Sequence, residues 1–246
     1  MASSDLESLS EFIDSLREVE TLLAIAPPQP LGEGGVAAQA HDRELVNAVT
    51  RSCTVMLVAH FEGFVKAALT ELIDQICQAK PPTRRIPEAL LELHTRGRIE
   101  EIFGTEGPDR IHKTRKLFSA YASLWDADRS INPQVLSAKV LTRQFTNAKP
   151  EILESVFAIL DVEDVIMKMD DHVNRAISER GDEATRIMVA VKLTEIVNRR
   201  NKIAHGDRSE KPTPVEVRNY VVFLKDVADC LSGIVQGRIL HCCSLM

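Results

Sequence analysis

The chain has 246 residues, 44% of them hydrophobic, which is enough for a globular protein with a sizeable core. Its formal net charge of -6 excludes a protein that coats nucleic acid by charge alone. Any contact with RNA or DNA must therefore come from a local basic patch. Aromatic residues make up only 4%, which disfavours a stacking platform for single-stranded bases.

The sequence also indicates where the protein resides. It shows no apolar run of the ~18 residues that a membrane span needs, and it does not open with a secretory signal. Its five cysteines lack the paired spacing of a disulfide framework, which favours a reducing compartment. We therefore expect a cytoplasmic protein without a membrane partner.

Helical spacing of apolar residues runs through nearly the whole chain, and alternating strand patterns are essentially absent. A first helix is predicted over residues 5–25 and a long second helix over residues 42–78, with a proline- and glycine-rich break between them. Shorter helices interrupted at Gly104, Gly107 and Pro108 are predicted within residues 86–125. Later helices are predicted from Asn132-Pro133 onward and over residues 150–160, 163–179, 182–204 and 213–235.

Capping residues mark where the last two helices begin and where the helix before them ends. Gly181 is a natural helix stop, and Asp182 is expected to cap the helix that follows it. Thr213 and Glu216, with a proline between them, are typical of a capping box at the start of the final helix.

The helix predicted over residues 182–204 separates apolar from charged side chains. Arg200 and Asn201 continue the apolar face, where polar groups are costly to bury unless they are hydrogen-bonded or lie at the mouth of a cleft. Arg199 falls on the opposite face and is predicted to be an exposed surface charge. The predicted apolar face comprises Val189, Leu193, Ile196, Val197, Ile203 and Ala204.

The angles between the polar residues limit how they act together. Asn201 and His205 are separated by roughly 40° around an α-helix, whereas Arg200 and His205 are separated by roughly 140°. Convergence of Arg200 with His205 therefore requires the long reach of the arginine, a helix that loosens before Gly206, or a second copy of the chain. The residues alone leave open both a catalytic cleft and a buried polar knot that stabilises the helix end.

The segment Arg200-Asn201-Lys202-Ile203-Ala204-His205-Gly206 resembles the Arg-x4-6-His motif of the HEPN domains, in the common form with asparagine after the arginine. The segment His60-Phe61-Glu62-Gly63-Phe64 resembles the large HEPN subgroup associated with bacterial defence and toxin systems. This resemblance extends over residues 41–236 but leaves out the first helix and residues 83–130. It implies an all-α, HEPN-like helical bundle with an extra N-terminal helix and a helical insertion.

The resemblance divides the chain into three parts. Residues 1–40 are expected to form the N-terminal helix and its Pro/Gly loop. Residues 41–236 are expected to form the HEPN-like domain, with the insertion at 83–130. Residues 237–246 are expected to be a C-terminal tail.

The resemblance also implies a metal-independent endoribonuclease that needs no cofactor, acts as a homodimer and serves as a defence or toxin effector. RNA carries a 2′-hydroxyl next to its phosphodiester, so cleavage needs only a proton acceptor, a proton donor and charge stabilisation. In this hypothesis His205 moves the protons, Arg200 binds the phosphate oxygens, and Asn201 orients His205 or the phosphate. RNA is the expected substrate, and an antitoxin or another regulatory protein is a candidate partner.

Other side chains have supporting roles in this hypothesis. Glu62 is expected either to pair with Arg200 across the bundle or to be a partly exposed carboxylate at the rim. His60 lies on an apolar stripe and is predicted to be a core histidine. The candidate RNA-binding residues near the motif are Lys202, Arg208 and Lys211, and a second basic group comprises Arg84, Arg85, Lys113, Arg115 and Lys116.

Two other functions remain open at this point. One is a non-catalytic helical module that binds RNA or protein, in which the arginine and histidine form a structural knot. The other is a membrane-associated regulator anchored through Cys243, because the last four residues match a loose form of a prenylation box.

Overall fold

The structure is a computed structural model that describes residues 6–26, 36–181 and 186–244. Across these ranges the secondary structure is helical, with a single β-bridge between Pro82 and Ser130 and no strand, which confirms the all-α prediction. The helices are α1 (Glu7–Ala24), α2 (Val36–Ala79), α3 (Glu88–Phe103), α4 (Pro108–Tyr121), α5 (Ala138–Thr142), α6 (Pro150–Ala158), α7 (Val165–Glu179), α8 (Val189–Ala204) and α9 (Pro214–Cys243), with 3-10 turns at Thr83–Arg85 and Ala122–Trp125.

Two helices are longer than the sequence predicts. Helix α2 begins at Val36 rather than at residue 42. Helix α9 continues to Cys243 rather than ending near residue 235, so the tail predicted over residues 237–246 is helical as far as Cys243. The extension buries apolar surface, because Cys242 is 1% exposed.

The prediction that Asn132-Pro133 starts a helix is wrong. The side-chain oxygen of Asn132 accepts the backbone N–H of Gln134 at 3.0 Å, which closes a local turn instead of capping a helix. The chain becomes helical only at Ala138–Thr142.

Helix α8 begins later than predicted, at Val189 rather than at residue 182. Its first N–H group, on Val189, donates to the carboxylate of Asp170 in α7 at 2.6 Å. A cap supplied by another helix therefore fixes the start of α8, and a sequence search for a preceding cap residue does not find it. The predicted break at residues 27–35, the Asp182 cap and the last two residues of the prenylation-like tail lie outside the described residues.

Contacts divide the chain into two compact units, to both of which α2 and α9 contribute residues. Unit 1 comprises Met1–Val65, Ala148–Pro150 and Ile166–Leu231, and unit 2 comprises Lys66–Asn147, Glu151–Val165 and Ser232–Met246. The core of unit 1 includes a cluster of phenylalanines in which Phe12 of α1 stacks on Phe64 of α2, with ring centroids 5.3 Å apart. The core of unit 2 includes the buried side chains Leu69, Leu72, Ile73 and Ile76 of α2, Leu90 of α3 and Phe157 of α6.

Residues Asp42–Ala79 of α2 are long and apolar enough to cross a membrane by length and composition alone, contrary to the estimate from the sequence. Half of the most apolar window of this helix is buried inside the protein. The helix also carries the charged side chains Arg51 and Glu62, both of which bind other parts of unit 1. These features are typical of a core helix.

The capping box at the start of α9 is confirmed. The carboxylate of Glu216 accepts the backbone N–H of Thr213 at 2.7 Å, and the Thr213 hydroxyl accepts the backbone N–H of Glu216 at 3.2 Å. The hydrogen bond from the Thr213 backbone is the largest of the effects that lower the pKa of Glu216. This box fixes where α9 starts, and so it fixes the length of the loop between α8 and α9.

Candidate functional site

The site is built on the buried face of α8 in unit 1. Val189, Leu193, Ile196, Val197 and Ile203 are buried, as the apolar face predicts. Ala204 is exposed, so its assignment to that face is wrong. Ala204 is the last residue of the helix, where the chain turns away into the following loop.

The end of α8 is closed by a Schellman motif. The N–H of Gly206 donates to Ile203 O at 3.0 Å, and the N–H of Asp207 donates to Lys202 O at 2.9 Å. Gly206 has a φ of +86°, a left-handed conformation that glycine adopts without steric cost. The N–H of His205 still makes a helical hydrogen bond to Asn201 O at 2.9 Å. The helix therefore does not loosen before Gly206, and that route to convergence is excluded.

Arg200 points from α8 towards α2. Its Nη2 donates to Oε1 of Glu62, and the two side chains are 22% and 19% exposed. The same Glu62 oxygen accepts the backbone N–H of Ala148 at 3.2 Å, in the segment that leads into α6. The predicted pairing of Glu62 with Arg200 is thus confirmed, and Glu62 is not an exposed rim carboxylate. The Arg200 Nε–H is buried without a hydrogen-bond acceptor among the described residues.

The other two motif side chains have no protein partner among the described residues. Asn201 is half-buried and His205 is exposed. Within the part of the chain that the structure describes, neither the Asn201 amide nor the His205 imidazole makes a hydrogen bond or an ion pair. Because they are four residues apart on a helical backbone, both lie on one side of α8. In helical phase Asn201 is roughly 100° and His205 roughly 140° from Arg200.

The neighbouring Arg199 is not the exposed charge that the sequence predicts. Its guanidinium is 22% exposed and binds Glu216 at 2.9 Å, Glu210 at 3.2 Å and the hydroxyl of Tyr220 at 2.5 Å. The Tyr220 hydroxyl donates in turn to Glu195 at 2.7 Å. Burial first, and then this hydrogen bond, raises the pKa of Tyr220, so the phenol stays protonated. The cause of the error is that α9 and the preceding loop cover this side of α8.

Arg51 is a residue that the sequence analysis missed. It extends from α2, and its Nη1 donates to the backbone oxygens of Asp207 and Glu210, the second at 2.8 Å. These two bonds hold the loop that directly follows the Schellman motif. A lone arginine in an apolar helix was the available signal, but the backbone oxygens that it binds leave no trace in the sequence.

The predicted RNA-binding residues differ in how exposed they are and in whether they already pair with a carboxylate. Lys202 is 58% exposed, but it donates to Glu210 at 2.7 Å, and this hydrogen bond raises its pKa. Arg208 and Lys211 are exposed. His60, predicted to be a core histidine, is 27% exposed and lies 3.7 Å from the carboxylate of Glu18. In unit 2, Arg84 pairs with Asp128, Lys113 pairs with Glu101, and Arg115 and Lys116 are exposed.

The helical fold and the Arg-Asn-x3-His segment at a helix end define a class of protein, the HEPN domains. A family model described as RiboL-PSP-HEPN matches residues 10–236. The chain therefore belongs to the RiboL-PSP-HEPN family, which confirms the resemblance noted from the motifs. The match includes most of α1 and all of residues 83–130, which the motifs did not cover. No curated protein and no solved structure gave a significant match.

The Schellman motif can be tested by replacing its glycine. We expect Gly206→Ala to lower the free energy of unfolding by about 1–2 kcal/mol, because an alanine at positive φ is strained. The matched control is Gly233→Ala, within α9, where φ is not positive. An added Cβ meets nothing within 4 Å at either position, so steric clash does not distinguish the two. The control should raise stability by roughly 0.5–1 kcal/mol.

Urea unfolding followed by circular dichroism measures both variants. Equal effects of the two substitutions would contradict the assignment of Gly206 to a strained turn.

Proposed function

We propose that the protein is a metal-independent endoribonuclease whose site contains Arg200, Asn201 and His205. Membership of a HEPN family supports the class of activity, because HEPN domains are often ribonucleases. The proposal extends this class to a defined reaction: attack of the RNA 2′-hydroxyl on the adjacent phosphorus.

The observation that carries the proposal is the contrast between two adjacent arginines. Arg199 has three partners on neighbouring elements, as expected of a structural arginine. Arg200 binds one oxygen of Glu62, and the Asn201 and His205 side chains bind nothing among the described residues. A polar knot that existed only to stabilise the helix end would satisfy its own donors and acceptors. The buried Nε–H of Arg200 has no acceptor among the described residues, and no protein group there occupies the side chains of Asn201 and His205, which favours a ligand instead.

The residues match the chemistry of RNA cleavage. One His205 accepts the proton of the 2′-hydroxyl as its oxygen attacks phosphorus, and the bond from phosphorus to the 5′-oxygen breaks. A second His205, from another copy of the chain, gives a proton to the departing 5′-oxygen. Arg200 and Asn201 stabilise the charge that develops on the phosphate oxygens. The products are a 2′,3′-cyclic phosphate and a 5′-hydroxyl, and the reaction consumes no metal or cofactor.

A homodimer is part of the proposal. The helix is regular up to Ala204 and Arg200 is engaged by Glu62, which favours a second chain over the reach of Arg200 as the way to assemble the site around one phosphate. Helix α2 supports this idea with a stripe of small or apolar side chains that are exposed or half-buried, next to Ile203 of α8. Such a stripe is typical of a surface that packs against another helix. The stripe comprises Ala48, Ser52, Val55, Met56, Ala59 and Gly63.

We also propose a biological setting for the activity. The segment from His60 to Phe64 resembles the HEPN subgroup of bacterial defence and toxin systems, which supports a role as a cytoplasmic defence or toxin effector. An antitoxin or another regulatory protein would then control the activity. The charge of Arg200 is partly neutralised by Glu62 in the free chain, so substrate phosphate must compete with that carboxylate.

The purified protein is expected to cleave RNA in the presence of EDTA. His205→Ala should lower the rate at least about a hundredfold, because it removes proton transfer. Glu62→Gln combined with Arg200→Gln should also abolish cleavage, and this pair avoids leaving a half-buried carboxylate unpaired. Initial rates on a labelled RNA measure each effect, and circular dichroism checks the fold.

The matched control is His241→Ala, which removes an exposed histidine near the end of α9. It should retain wild-type activity. Cleavage that survives both site variants would refute the assignment of the site.

The dimer has its own test on the α2 stripe. Ala59→Glu should convert a dimer to a monomer and lower the cleavage rate, because a carboxylate would be buried in the interface without a partner. Ala158→Glu, at an exposed position of α6, is the control and should change neither property. Light scattering after size-exclusion chromatography gives the mass. A wild-type protein that is a monomer and still cleaves RNA would rule out the shared site.

A further inference from the structure

A cleft in unit 2 lies between α3, α4 and the turn that follows Ile131. Its volume is about 400 Å³, which falls within the range of sites that hold small organic molecules. Every residue that lines the cleft belongs to unit 2, so it shares no residue with the candidate site of unit 1 at the end of α8. The side chains that determine its chemistry include Arg98 and Glu101 of α3, Lys113, Lys116 and Tyr121 of α4, and Val135 of the turn.

Cations outnumber carboxylates in the lining of this cleft. Arg98, Lys113 and Lys116 are its three permanent cations. Glu101 is the single carboxylate among the described residues that line it, and Asp109, one turn before Lys113, is not part of the lining. Three cations against one carboxylate give the cleft a net charge of +2. An anion is therefore the ligand that its charge favours.

Glu101 orients two of these cations without using all of their donors. Its Oε2 accepts a hydrogen bond from Nη1 of Arg98 at 2.8 Å, and its Oε1 lies 3.0 Å from Nζ of Lys113. The hydrogen bond from Arg98 is the largest of the effects that lower the pKa of Glu101, so the carboxylate stays ionised. Because an arginine side chain has five N–H groups and an ammonium has three, both cations retain donors for a ligand.

Two more donors at the cleft are not occupied by protein groups. The hydroxyl oxygen of Tyr121 accepts the Nε–H of Arg98 at 2.9 Å. The proton of the same hydroxyl has no acceptor among the described residues, although Tyr121 is only 9% exposed. Lys116 is exposed and has no ion-pair partner within the described ranges. Both groups are available to an anion in the cleft.

Part of the lining is apolar. Ile102 and Leu117 are half-buried, and Val135 is buried. An inorganic anion would leave this apolar surface in contact with water, whereas an organic group attached to the anion would cover it. The lining therefore suits a molecule with an anionic end and an apolar end.

We propose that the cleft binds a small phosphomonoester that carries an apolar or aromatic group. A phosphomonoester has a charge of about −1.5 to −2 at pH 7, which matches the charge of the cleft, whereas a carboxylate would leave one positive charge unmatched. Arg98, Lys113 and Lys116 contact the phosphate oxygens, and the Tyr121 hydroxyl donates to one of them. The organic group packs on the apolar part of the lining.

The ligand class is tested with phenyl phosphate and its two halves, phenol and inorganic phosphate. Each is titrated into the ¹⁵N-labelled full chain, and amide chemical shifts give both the Kd and the place of binding. Phenyl phosphate should shift amides of α3 and α4 and bind at least about tenfold more tightly than either half, because only the intact ester supplies both charge and apolar surface. Absence of such shifts, or binding of inorganic phosphate as tight as that of the ester, would overturn the proposal.

Two neighbouring positions of α4 provide a matched pair of variants. Lys116→Gln should raise the Kd for phenyl phosphate at least about tenfold, because it removes a charge-assisted hydrogen bond to the phosphate. Arg115→Gln removes an exposed cation that does not line the cleft, and it should leave the Kd within about twofold of the unaltered protein. Equal effects of the two substitutions would show that general charge attracts the anion, and the proposed site would be refuted.

Discussion

The ion pair between Glu62 and Arg200 is the contact on which the candidate site depends. Both side chains are about four-fifths buried, and charges so placed are tolerated only when each has a partner. Glu62 also accepts the backbone N–H of Ala148, so a single carboxylate connects α2, α8 and the segment before α6. The pair holds Arg200 towards α2, and helical phase separates Arg200 from His205 by roughly 140°. The second chain that we propose is suggested by this separation rather than by the motif itself.

Around this pair, hydrogen bonds and ion pairs fix the end of α8 and the loop that follows it. Among the described residues, the side chains of Asn201 and His205 take no part in these contacts. The Schellman motif ends α8 at a fixed residue, Arg51 holds the next loop by its backbone oxygens, and Arg199 is enclosed by Glu210, Glu216 and Tyr220. This frame fixes the backbone at Asn201 and His205 without occupying the hydrogen-bonding groups of their side chains. A fixed backbone that leaves these groups available to a ligand suits the proposed cleavage site.

Sequence patterns predicted the parts of the structure that depend on residues close together in the chain. Helical spacing gave the helices, and Thr213 with Glu216 gave the start of α9, because a capping box is a local arrangement. Pairing of Glu62 with Arg200 was one of two alternatives that the apolar stripes left open, the other being a partly exposed carboxylate at the rim, and the structure shows the pair. The exposure of Arg199 was predicted wrongly. Helical phase shows on which side of α8 the residue lies, but it does not show whether a distant element packs against that side. Arg51 and the Asp170 cap of α8 were missed because they bind backbone groups, which have no residue-specific signal.

The chemistry of the cleaved ends distinguishes attack by the RNA 2′-hydroxyl from attack by water. An RNA oligonucleotide and the same oligonucleotide with a 2′-deoxy substitution at the mapped cleavage position are incubated with the protein in EDTA, and the products are identified by mass spectrometry. Attack by the 2′-hydroxyl predicts a 2′,3′-cyclic phosphate and a 5′-hydroxyl from the RNA, no cleavage at the deoxy position, and no products from His205→Ala. Cleavage at the deoxy position, or ends bearing a 3′-hydroxyl and a 5′-phosphate, would contradict it.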